Sequence, residues 1–168
     1  MPAPLSGSTS VSGRIGGRWT GHDIRAQFDG AALHGRVGGA FTGKDFRLQV
    51  SAGEVHGRLG GAVSGADVQV NIYQNELHGR IGGRTIGQDI HLTGTSEITG
   101  RLGGPVVGKD VQLHYSAGEA LLTGRIGGSF DGKDVWLECP NLSPLLAGLL
   151  ACVGYIVLGW NSRRSTSS

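Results

Sequence analysis

A chain of 168 residues with 15 Lys and Arg against 13 Asp and Glu carries a net charge of only +2, too small a field to gather nucleic acid over a distance. Its 32 glycines exceed the ordinary share, yet they follow no every-third-residue collagen period and are interleaved with regularly alternating apolar residues, which excludes a low-complexity disordered chain. The two cysteines, Cys139 and Cys152, both lie late in the chain, so no disulfide framework staples what precedes them.

The opening residues, MPAPLSGSTS, have neither the basic start nor the apolar run of a secretory signal, and residues 1–10 read as a flexible leader. Residues 11–138 hold six copies of one phrase: apolar-x-Gly-Arg-apolar-Gly-Gly, then Gly-x-Asp-apolar-x-apolar. Successive Gly-Arg pairs are 22, 22, 22, 21 and 24 residues apart, from Gly13-Arg14 to Gly124-Arg125, a spacing that marks a repeat architecture. Within a copy the apolar residues alternate with polar ones, as in Leu33, Gly35, Val37 and then Phe46, Leu48, Val50. That period of two predicts a pair of strands per copy and no helix in this region.

Arginine and aspartate stand nine residues apart in every copy: Arg14/Asp23, Arg36/Asp45, Arg58/Asp67, Arg80/Asp89, Arg101/Asp110 and Arg125/Asp134. Placing each pair opposite in an antiparallel hairpin sets Gly35 against Phe46 and Leu33 against Leu48. All apolar residues then share one face, and a one-residue slip would scramble it. For the links between copies the analogous choice sets Asp23 against Arg36 and Ile24 against Gly35, with a two-residue Asp29-Gly30 turn. The shortened copy needs an odd loop or a bulge near Gly94-Thr95-Ser96, and the long one extends a hairpin around Ser116 to Glu119.

Under that register every Arg has an Asp on both sides, whereas a β-solenoid would stack like charges at ~4.8 Å. The expected fold is therefore an all-β repeat domain of six β-hairpins forming an antiparallel meander or closed barrel, with a β-solenoid as the alternative. The hairpin ends carry Trp19, Phe41, Val63, Val106 and Phe130, with Thr85-Ile86 departing from the pattern. The inward-facing glycines, Gly13, Gly35, Gly57, Gly79, Gly100 and Gly124, predict a flat inner wall that another backbone can approach.

The candidate for that backbone is residues 142–160, which carry no charge. Leu142, Leu145, Leu146, Leu149, Leu150, Val153, Ile156, Val157, Leu158 and Trp160 predict one hydrophobic C-terminal helix, with Ser143 as its cap and Pro144 in its first turn. Its length, ~28 Å, matches a bilayer core. It reads first as a membrane anchor and alternatively as a core plug inside the β domain. Gly148, Gly154 and Gly159 offer a close-packing face, and residues 161–168 form a polar basic tail with Arg163 and Arg164.

No chemistry emerges. His34, His56 and His78 recur on strands too far apart to share a metal; His78 and His91 are cross-strand neighbours, but two imidazoles make a solvated pair rather than a site. The Gly-Arg-Ile-Gly-Gly strings do not lead from a strand into a helix, as a phosphate loop must, and no serine or cysteine has an activating base. The expectation is a protein that is no enzyme and has no cofactor, metal or small-molecule substrate. Basic extras at Arg18, Arg25, Arg47 and Arg84 are interleaved with aspartates, which argues against nucleic acid.

The glycine-punctuated hairpins are similar in layout to MORN repeats, without their Tyr-x-Gly-x-Trp signature, and the glycine-spaced alternation is also similar to that of bactofilin-like solenoids. These readings combine into a non-enzymatic β-repeat scaffold or interaction protein, held at membrane lipid by its C-terminal helix with the repeats on the cytoplasmic side. Its polar face, with the variable residues Arg25, Arg47, Gln69, His91, Gln112 and Trp136, would meet another protein. The alternative is a soluble cytoplasmic structural protein that self-associates through open sheet edges or end to end, its helix packed in the β domain.

Overall fold

The computed structural model describes residues 8–17, 21–39, 43–61, 65–82, 87–103, 108–128 and 132–166, with side chains as far as Trp160. Arg18, Arg84 and the hairpin-end residues Trp19, Phe41, Val63, Thr85, Ile86, Val106 and Phe130 lie outside the described residues.

The strands, in chain order, are β1 (Thr9–Ile15), β2 (His22–Phe28), β3 (Ala32–Val37), β4 (Lys44–Ser51), β5 (Glu54–Leu59), β6 (Ala66–Tyr73), β7 (Glu76–Gly82), β8 (Gly87–Thr93), β9 (Glu97–Gly103), β10 (Gly108–Ser116), β11 (Leu121–Ile126) and β12 (Lys133–Glu138). They pair antiparallel with their sequence neighbours, and β12 pairs with β1, so the sheet is a closed barrel. Closure settles the choice against a solenoid. It also removes the open sheet edges through which self-association was one expectation, because both terminal strands are occupied.

Within each copy the register is the expected one. Arg14 stands opposite Asp23, Arg36 opposite Asp45 and Arg58 opposite Asp67. Arg80 likewise faces Asp89, Arg101 faces Asp110, and Arg125 faces Asp134.

Between copies the register differs from the expected one. Arg25, not Asp23, faces Arg36, and Ala26 faces Gly35. The same two-residue offset recurs at Arg47–Arg58, Gln69–Arg80, His91–Arg101 and Gln112–Arg125, and at the seam between Trp136 and Arg14. Asp45, Asp67, Asp89, Asp110 and Asp134 therefore miss register with the arginine of the next copy, as Asp23 does, and each stands opposite the arginine of its own hairpin. Across the link the backbone carbonyls of Asp23, Asp45, Asp110 and Asp134 accept instead from the amides of Gly38, Gly60, Gly127 and Gly16. A barrel must stagger its strands in order to tilt and close. Hairpins with no offset supply no stagger, so the five links and the β12–β1 seam supply all of it.

The links also differ in length. Phe28 pairs with Leu33, and the Asp29 carboxylate accepts from the amides of Ala31 and Ala32 at 2.9 and 2.7 Å. Those bonds hold Asp29 below the usual carboxylate range. Ser51–Glu54 and Tyr73–Glu76 close over two residues, with Gly53 and Gln74 at positive φ. In the short copy the last partners are Thr93 and Thr99, an odd loop as expected.

Helix α1 (Pro144–Thr166) starts at the link end and runs through the lumen toward the hairpin end. Ser143 caps it, its hydroxyl accepting from Leu146 N–H and its carbonyl from Ala147 N–H. The Tyr115 hydroxyl donates to Leu142 O at 2.9 Å and ties the entry loop to β10. Leu142, Leu145, Leu146, Leu149, Leu150, Val153, Ile156, Val157 and Leu158 are buried, as are Ala147, Ala151 and Cys152 between them. Trp160, half-buried, packs against the same core.

A helix buried on every side while surrounded by strands is a core plug, so the membrane-anchor reading of residues 142–160 is corrected. The apolar surface that would meet lipid is taken by Ile15, Ile24, Leu92, Ile98 and Leu113 of the wall. Among the described residues no helix is long and apolar enough to cross a membrane. Among the described residues the outer mid-height of the wall is a ring of arginines and aspartates, which hydrocarbon would not accommodate.

The glycine expectation is corrected too. A Cβ built on Gly13, Gly35, Gly57, Gly79, Gly100 or Gly124 would strike a backbone carbonyl of the adjacent strand, not the helix. These glycines let neighbouring strands crowd together as the sheet curls. The helix supplies its own close contacts instead: a Cβ on Gly154 would lie 2.7 Å from Ile24 Cδ1, and one on Gly148 3.0 Å from Leu92 Cδ1.

Burial pushes the Cys139 thiol up to about 11 and that of Cys152 up to about 12. Both should therefore resist a thiol-specific disulfide reagent at pH 8 in the folded protein and react fully once it is unfolded in guanidinium. Rapid native-state labelling of Cys152 would contradict a packed lumen.

Candidate interaction surface on the barrel wall

The repeated Arg-Asp pairs are latches rather than reactive groups. Each arginine Nη1 donates to its aspartate Oδ1 at 2.6–2.7 Å across a hairpin, in all six copies. The partners are Arg14 with Asp23, Arg36 with Asp45, Arg58 with Asp67, Arg80 with Asp89, Arg101 with Asp110 and Arg125 with Asp134. The guanidinium also reaches the turn it precedes: Nε of Arg36, Arg58 and Arg125 donates to the carbonyls of Gly39, Gly61 and Gly128 at 3.1–3.2 Å. The Gly-Arg-x-Gly-Gly phrase is thus a mechanical unit, in which the arginine ties a glycine turn to the returning strand. The side chains of all six aspartates are more than half exposed, from 55% at Asp23 to 76% at Asp134, so each ion pair contributes at most about 1 kcal/mol.

Variation sits beside these latches. The two-residue link offset places one outward side chain directly opposite each latch arginine: Arg25 for Arg36, Arg47 for Arg58, Gln69 for Arg80, His91 for Arg101, Gln112 for Arg125 and Trp136 for Arg14. These are the six variable residues singled out in the sequence. The expectation of an Asp on both sides of every Arg fails here, and two links bring arginine against arginine. The physical reason is the stagger: it moves Asp23, Asp45, Asp67, Asp89, Asp110 and Asp134 two residues past the arginine they were expected to share.

The six positions divide into two arcs. On β6, β8 and β10 they are Gln69, His91 and Gln112. Gln69 donates to Glu54 at 2.7 Å and His91 lies 3.2 Å from Glu76, so the polar groups of these two have partners. His78 pairs with His91 as expected, and His114 pairs with Glu97. Among the described residues no group of three or more His, Cys, Asp or Glu is placed to hold a metal ion.

On β12, β2 and β4 the positions are Trp136, Arg25 and Arg47. Trp136 is 47% exposed, and only Tyr73 is a more exposed large apolar side chain among the described residues. Arg25 and Arg47 are exposed and, among the described residues, have no hydrogen bond or ion pair. A shallow depression of about 530 Å³ runs between Arg25, Arg36, Arg47 and Arg58, floored by Gly35 and Phe46. A second, of about 330 Å³, lies between Trp136, Arg14 and Arg25. The two share Arg25 and form one strip across six adjacent strands. Sequence reasoning named its residues but not their adjacency, which depends on the link register.

Fold and surface together define a closed hairpin-repeat barrel, filled by its own helix, with one arginine-rich arc. Compared with known proteins, the chain matches no family model, no curated protein and no solved structure.

Proposed function

We propose that this protein is a non-enzymatic interaction module, a rigid barrel that docks an acidic protein segment on the strip formed by Trp136, Arg25 and Arg47. The observation that carries the reading is that these residues occupy three adjacent variable positions where the other copies hold Gln, His and Gln. Tryptophan and arginine are the side chains that dominate protein interfaces, and a guanidinium without an internal partner gives up little to bind a carboxylate. The helix-filled lumen supports the non-enzymatic reading, because the interior of the barrel is packed with buried side chains such as Leu149, Leu150 and Val153. The reading makes no use of α1 as an anchor.

Immobilised poly-L-glutamate is a direct probe. The native chain should bind it at low salt and release as salt screens the contacts. The triple variant R25Q/R47Q/W136Q should bind about tenfold more weakly, since two exposed arginine–carboxylate contacts at up to about 1 kcal/mol each, with the Trp136 contact besides, add to roughly the 1.4 kcal/mol that a factor of ten requires or a little more. Gln69 and Gln112 already occupy equivalent positions, so the variant keeps its fold. Equal retention of both proteins would refute the assignment.

A further inference from the structure

The glutamates and the lysines are sorted to opposite ends of the barrel axis. All five glutamates, Glu54, Glu76, Glu97, Glu119 and Glu138, lie at the link end, where the even strands finish and the odd strands begin. Asp29 takes the remaining link, so each of the five links carries one carboxylate and Glu138 stands at the β12–β1 seam. No Lys or Arg stands in residues 26–34, 48–56, 70–78, 92–98, 114–122 or 137–143, which build that end.

All three lysines lie at the opposite end. Lys44 and Lys133 open β4 and β12, and Lys109 is the second residue of β10. They belong to one ring of equivalent positions, His22, Lys44, Ala66, Gln88, Lys109 and Lys133, each immediately before a latch aspartate. By strand register they pair with the inward-facing Val37, Leu102 and Ile126, so they line the mouth from which α1 emerges. Between the two rings the latches cancel, six Arg against six Asp.

We propose that copies of this chain associate head to tail, the carboxylate ring of one barrel seated on the lysine mouth of the next. Three features point to a second copy. The two ends are opposite in sign, so the molecule carries its own complement. Both rings come from the same six repeats, so they share one axis and one spacing. And barrel closure removes backbone pairing as a route to association, leaving side chains at the ends and on the wall. A contact between unlike ends leaves a free end of each kind, so it propagates into open chains.

The test is sedimentation velocity of the full chain over a range of concentration and salt, with two sets of variants. K44Q/K109Q/K133Q neutralises the mouth with the residue already present at Gln88. E54K/E76K/E97K reverses three exposed or half-exposed positions of the carboxylate ring. The native chain should form a concentration-dependent series of oligomers at about 20 mM salt, where the screening length is about 20–30 Å, and return to monomer near 0.5 M. Each variant alone should be monomeric under both conditions. Mixed together they should form a one-to-one complex and stop there, because only one acidic ring and one lysine mouth then remain able to meet.

A native chain monomeric at low salt overturns the proposal, and so do oligomers that persist in either variant. Should the native chain stay monomeric but bind phosphatidylserine vesicles, with the lysine variant failing to bind, the mouth belongs to an anionic lipid surface and the second copy is excluded. R25Q/R47Q/W136Q should sediment as the native chain does, which separates this contact from the strip on the wall.

Discussion

A chain ending at Asn141 is expected not to fold. The truncation removes the helix and leaves the inward side chains of all twelve strands facing an empty lumen. The side chains lost with it include the buried Leu145, Leu146, Leu149, Leu150, Val153, Ile156, Val157 and Leu158. Each fully buried aliphatic side chain is worth about 1.5–3 kcal/mol, so these eight contribute on the order of 12–24 kcal/mol. A typical domain has only about 5–15 kcal/mol of net stability. The wall cannot collapse to make good the loss, because its circumference is fixed by closure between β1 and β12. Far-ultraviolet circular dichroism should show the β signal gone or a non-cooperative melt, and size exclusion should show aggregate. A truncated chain that stayed monomeric with an unchanged spectrum and a sharp thermal transition would mean that the barrel stands without its plug.

The hairpins, their internal register and the inward face were legible because a period of two, six times repeated, tolerates only one assignment of faces. The pairs Arg58–Asp67, Arg80–Asp89, Arg101–Asp110 and Arg125–Asp134 follow from it as directly as the first two do. The link register was not legible. Opposing Asp23 to Arg36 and opposing Arg25 to Arg36 both keep Ile24 and Ala26 inward, since a shift by two preserves which side every residue faces. The same ambiguity holds for Asp45, Asp67, Asp89, Asp110 and Asp134, each of which could face the next arginine without turning any side chain over. The requirement that selects between the two is the stagger of a closed barrel, a property of all twelve strands that no single repeat carries. The wall strip was lost with it: its residues were identifiable as variable, but Arg25 beside Arg36 and Trp136 beside Arg14 exist only after the offset. His78 beside His91 was foreseen because that pair lies within a copy. The helix was legible as a helix and not as a plug, for a lumen lined by leucine and isoleucine makes the same demand on composition as a lipid bilayer does.

The repeat glycines give the second large effect, and one that separates a closed barrel from a loose meander. Gly100→Ala puts a methyl group into the carbonyl of His91, and the next nearest atoms are also backbone, of His91 and Leu92. Neither strand can step aside, because β8 is held by β7 and β9 is held by β10. A flexible side chain would yield; a backbone paired on both flanks does not, and the cost is about 3 kcal/mol or more, in the range of severe core lesions. For a chain of this size each kcal/mol lowers the melting temperature by roughly 2–4 °C, so Gly100→Ala should melt at least about 6 °C below the native protein. Gly17→Ala is the internal control: the same substitution where a Cβ meets nothing within 4 Å, on an exposed turn, should leave the transition within about a degree or two. Matching melts for the two variants would show that β8 and β9 are not crowded against each other at this height. With that crowding would go the account of why Gly precedes Arg in every copy.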